Sequence, residues 1–176
     1  MFVETPELVA ERMRDPTLGL AHYLPLVPVS AGHAPPPAVP PEQIHDETLN
    51  GEVALDRIPG PYPAIAISLI PSRMGEETTA REVGYGRATV LLRYATDRDD
   101  PHIGTRDAGY TLRAAIWVLK RLHMDLAPGA LPPRNGIQFY GHDDFELSPV
   151  YAPIEGAVVT GWLKVPYDLR DVGFPG

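Results

Sequence analysis

The sequence predicts an α+β fold: a single domain with a mostly antiparallel sheet packed by one main helix, plus an N-terminal helix and a proline-rich arm. Three observations carry that expectation. Strand patterns follow one another without the regular strand–helix alternation of a parallel sheet. One long run, roughly residues 107 to 125, repeats its apolar residues at helical spacing. Proline makes up 21 of 176 residues, where about 5% is usual. Much of the excess is local, with Pro25, Pro28, Pro35, Pro36, Pro37, Pro40 and Pro41 in one short stretch.

At the N-terminus, Thr5 is a capping residue, Pro6 suits the first helical turn and Glu7 lies near the positive end of the helix dipole. Leu8, Val9 and Met13 supply a short apolar face. Asp15-Pro16 repeats the start signal and predicts a second short helix through Leu18, Leu20 and Tyr23, ended by Pro25 and Pro28. Residues 30–41, SAGHAPPPAVPP, read as extended polyproline II, either a spacer or an arm lying on a neighbouring subunit. The expected organisation is a helical segment over 1–29, an arm or linker over 30–46, and an α+β core over 47–176.

Strands begin near Pro61. PYPAIAISLI alternates Ile65, Ile67 and Leu69 against Ala64, Ala66 and Ser68, and ATVLLRYAT places Val90, Leu92 and Tyr94 on one face. The stretch between them is too long and polar for a tight turn and predicts a projecting loop. Asp97 to Asp107 reads as a polar loop, with Asp107 capping the main helix. In that helix Ala108, Leu112, Ala115, Ile116, Leu119, Leu122, His123 and Leu126 share a broad core stripe. Arg113, Lys120 and Arg121 lie on the other side, with Tyr110, Trp117 and Met124 in a second, narrow apolar stripe. Pro128 to Pro133 turns the chain. Two shorter strands, GIQFY and FELSPVY, and a strong last one, AVVTGWLKV, complete the sheet; Val158/Trp162 and Val159/Leu163/Val165 lead the faces of the last.

Composition bounds the function. At 44% hydrophobic and 22% charged, the chain is ordinary for a globular protein. It has no cysteine, which excludes disulfides, thiolate metal sites and a cysteine nucleophile. MFVETPELVAERMRD has acids where a signal peptide is basic, and no apolar run approaches the roughly 18 residues of a membrane helix. A soluble product made in the cytoplasm is expected. The formal net charge of −8 argues against gripping a phosphate backbone, but not against a protein that DNA passes without sticking.

Three places could carry chemistry. Asp97, Asp99, Asp100 and His102 offer carboxylates to a hard cation, but their spacing fails an EF-hand because Ala108 stands at position twelve. His142-Asp143-Asp144 follows Gly141 in a turn pattern that favours Asp for its backbone hydrogen bonds. His123 on the apolar face reads as a packed or interface histidine. No nucleophile elbow or phosphate loop occurs; Gly84-Tyr85-Gly86 is a weak signal, and Ser30, Ser68, Ser72 and Ser148 have no evident base. No catalytic residue, metal site or cofactor is expected. The alternatives are a small metal-dependent hydrolase using Asp97, Asp99 and Asp143, and an adaptor that binds one partner through its proline arm.

Taken as a whole, the order of elements resembles the tail terminator and tail-completion proteins of long-tailed bacteriophages. The matching residues are Leu8…Met13-x-Asp15-Pro16-x-Leu18, Tyr62-Pro63-Ala64-Ile65 entering the first strand, Tyr110 to Leu122 as the central helix, and Val158 to Val165 followed by Pro166-Tyr167. The resemblance implies a virion protein at the head-proximal end of the tail: a ring, a hexamer in this family, that caps the tail tube and joins the head connector. Function then lies in contacts. Tyr110, Arg113, Trp117, Arg121 and Met124 are the expected ring interface. Glu76, Glu77 and Glu82 are expected to line the lumen or face the tube, where acid keeps passing DNA from sticking.

Overall fold

Ile65 and Ile67 alternate with Ala64 and Ala66, and these four residues of one strand are buried on both of its faces. The computed structural model describes residues 4–46, 58, 60–70, 85–126, 137–142, 146–147 and 159–171. Its helices are α1 (Glu4–Arg14), α2 (Leu20–Tyr23) and α3 (Pro101–Leu126), with short 3-10 turns at Leu24–Leu26 and Pro41–Gln43. Its strands are β1 (Ile44–Asp46), β2 (Ala64–Ile70), β3 (Tyr85–Thr96), β4 (Ile137–His142), β5 (Glu146–Leu147) and β6 (Val159–Asp171). The sheet order is β1-β2-β3-β6-β4, and β5 also pairs with β6. Among the described residues only β1–β2 is parallel; the other pairings are antiparallel. The chain is thus a single α+β domain with a mostly antiparallel sheet.

Register fixes which residues meet α3. Ile44 pairs with Ile65, Ile65 with Tyr94, Ile67 with Leu92, and Leu92 with Leu163. Residues directly opposite share a face, and these side chains form one buried cluster with Leu112, Ala115 and Leu119 of α3. Burying each Leu or Ile contributes about 1.5–3 kcal/mol, so this cluster decides the fold. On the other face Ala64, Ala66 and Ala95 form a smaller cluster with Ile58 and Tyr62.

The N-terminal segment belongs to the same core. Leu8, Val9 and Met13 of α1, Leu20 and Leu24 are buried in the cluster. So is Val39, within the stretch expected to be an extended spacer or arm; Pro36 is buried too. At these points residues 30–46 lie on their own chain, and Ile44–Asp46 join its sheet. Arg14 ties α1 to β1, donating from Nε and Nη2 to the Ile44 carbonyl at 3.1 and 2.5 Å.

Two helix starts differ from expectation. Asp15 caps a turn, its Oδ1 accepting from the Thr17 and Leu18 amides at 2.7 and 2.9 Å; α2 begins later, behind Gly19. The main helix begins at Pro101, six residues before Asp107. Asp100 is the residue that caps it, accepting from the His102 amide at 2.8 Å, while Pro101 has no amide hydrogen to satisfy. No helix of the described residues is long and apolar enough to cross a membrane.

Candidate functional site

Helix α3 is covered on two sides. Ala108, Leu112, Ala115, Leu119, Leu122 and Leu126 are buried as the core stripe requires, while Ile116 and His123 are half-buried at its border. Ala114 and Val118 are buried in the same cluster, and α1 and α2 both pack against α3.

The expected interface residues divide into two groups. Tyr110 and Trp117 are half-buried and pack against their own chain's core. The Tyr110 hydroxyl donates to Ser30 Oγ at 3.3 Å and accepts from the Ser30 amide at 3.1 Å. Those bonds, the side-chain one foremost, hold the phenol below its ordinary pKa. The Trp117 ring meets Tyr23 edge-on at 6.4 Å. Arg113, Arg121 and Met124 are exposed, Met124 at 61%. Arg121 Nε lies 3.2 Å from Asp125, whose other oxygen takes Arg12 Nη1 at 2.6 Å. That bridge joins α1 to the end of α3. The second apolar stripe is therefore a seam to residues 20–30 over Tyr110 and Trp117, and an open surface at Met124.

Of the acidic candidates, Asp97, Asp99 and Asp100 are exposed and Asp100 is occupied as a cap. Glu76, Glu77, Glu82 and Asp143 lie outside the described residues. Among the described residues no group of three or more His, Asp or Glu is arranged to hold a metal ion.

The structure also brings together a polar group that the sequence did not signal. Asp107, expected to cap α3, is 1% exposed and sits inside the helix. Its Oδ2 accepts from Arg98 Nε at 2.9 Å. Thr111, one turn later, and Tyr94 of β3 are fully buried beside it. Burial, opposed by the nearby Thr111 and Thr96 hydroxyls, pushes the Tyr94 phenol up to about 12. Those hydroxyls favour the phenolate by proximity, yet none is aligned as a full hydrogen-bond partner of the Tyr94 OH. The folded pKa lies above the ordinary 10.0, so stability is complete below that value and falls as pH rises from about 10 to about 12. In an alkaline denaturation series, Tyr94→Phe should lose this component of the fall and match the parent near neutral pH. An unchanged alkaline profile would place the transition elsewhere.

No known family model matches the chain, and no curated protein matches it. The functional reading therefore stands on the residues and their arrangement.

Proposed function

We propose that this chain is a structural ring subunit at the head-proximal end of a long-tailed phage's tail. In this reading it caps tail-tube polymerisation and joins the tail to the head connector, while DNA passes without specific binding. Its partners are further copies of itself, the tail tube protein and a connector or neck protein, and it carries out no reaction.

The observation that supports the reading is the architecture. A mostly antiparallel sheet carries the long helix α3 across one face, with an N-terminal helix in the same core. That is the arrangement the resemblance to tail terminators implies. A tube layer presents the same edge to each new layer, so growth stops only on a subunit that matches the edge without regenerating it. A contact closed by symmetry makes a ring instead of a filament. A single domain without repeats suits that role. Electron microscopy of the purified protein, alone and mixed with tail tubes, tests the reading by looking for closed rings seated on tube ends.

A further inference from the structure

The charge of α3 runs opposite to that of the chain. The helix holds four cations, Arg106, Arg113, Lys120 and Arg121, against two carboxylates, Asp107 and Asp125; the whole chain holds 15 against 23. Both carboxylates are turned inward, with side chains 1% and 14% exposed and paired to Arg98, Arg12 and Arg121. Arg113, Lys120 and Arg121 are exposed and Arg106 is half-buried, so the exposed charge of α3 is positive.

Its layout is ordered. Arg106, Arg113 and Lys120 recur every seven residues, a spacing that drifts only about 20° per step around a helix. They form one stripe, flanked by Tyr110, Trp117 and Met124 at the same spacing. Met124 and Leu26 are the exposed large hydrophobics among the described residues, and Leu26 ends the turn that packs against α3. The outer face of α1 has the opposite sign. Glu7 and Glu11, one turn apart, are exposed, while Leu8, Val9 and Met13 are buried.

We propose that the basic stripe of α3 docks a second copy of this chain through the acidic outer face of that copy's α1. The inference rests on the ring-subunit reading and names the surfaces that join neighbours. A ring requires each subunit to offer two different, complementary faces. Opposite charge on the two helices steers that head-to-tail pairing, while α3 against α3 would set Arg113 near its own copy. Met124, exposed at the end of the same face, is the apolar contact beside the cations. A phosphate backbone is the poorer occupant, because the exposed Met124 has nothing to contact there and the net charge repels it.

Sedimentation velocity over a concentration series tests this on the full chain, using wild type, Arg113→Glu, Glu7→Arg and the double variant. Both residues are exposed, so thermal melting should be nearly unchanged in all four. Each single variant is expected to raise the dissociation constant at least about tenfold, with the double variant recovering most of the loss. Added salt should weaken the wild type. Single variants that assemble normally, or a double variant with no recovery, overturn the pairing and leave the ring reading standing. A wild type that stays monomeric at every concentration, with or without tail tubes, defeats both. Binding of a duplex oligonucleotide that Arg113→Glu abolishes would assign the stripe to phosphate and overturn the proposal.

Discussion

Gly19→Ala is expected to destabilise the protein by about 3 kcal/mol or more, lowering the melting temperature by roughly 6–12 °C for a chain of this size. Gly19 lies between the Asp15 turn and α2 and is buried. A Cβ built there meets the Arg12 and Met13 carbonyl oxygens at 2.6 Å, and the Asp15 carbonyl oxygen closer still. All three are backbone atoms, so no side chain can swing aside. Relief requires moving the end of α1 away from α2, and with it Met13 and Leu20, both in the core. The Gly19 amide also donates to the Asp15 carbonyl at 2.9 Å, a bond the displacement would stretch. A variant that melts with the parent would show that the α1–α2 corner opens without cost.

Arg98→Ala should cost more than Asp107→Ala, although the two residues form one ion pair. The asymmetry follows from exposure. The Arg98 side chain is 43% exposed and Asp107 is 1% exposed. Removing Asp107 returns a half-exposed guanidinium to water and leaves a small void, a loss of about 1 kcal/mol. Removing Arg98 leaves a carboxylate in the core without its cation. Breaking a fully buried pair costs about 3–5 kcal/mol, and the half-exposed partner brings the expectation down to about 2–3 kcal/mol. Chemical denaturation of both variants measures the difference directly. Equal losses would mean that water reaches Asp107 when Arg98 is gone.

Much of this arrangement was legible in the sequence. The faces of β2 and β3 were set by period-two alternation, and Ile65, Ile67, Val90, Leu92 and Tyr94 all reach the core. The core stripe of α3 followed from its 3.6-residue period. The start of α3 was misplaced because Asp97, Asp99, Asp100 and Asp107 are all capping residues, and only packing distinguishes the one that caps. Asp107 is drawn inside by Arg98, nine residues away, a pairing that no local pattern encodes. β1 escaped notice because three residues, Ile44–Asp46, are too few to show a period. It is held by Arg14 and by Ile65 across the sheet. Val39 carries a similar lesson: proline content describes backbone stiffness, not whether the chain above has a surface to lie on. Tyr110 and Trp117 form a true second stripe, but periodicity cannot tell a seam within the chain from one between chains. Met124 and Arg113 remain exposed at that stripe, and they carry the candidate contact.

As the proposed ring subunit, this chain should close a ring on the end of a growing tube. Tail-tube subunits polymerised with increasing amounts of the purified protein, then viewed by electron microscopy, test it most directly. One ring at a single end of each tube is expected, with a mean tube length that shortens as the protein is added. Tubes of undiminished length with bare ends, at protein in excess over tube ends, would contradict it.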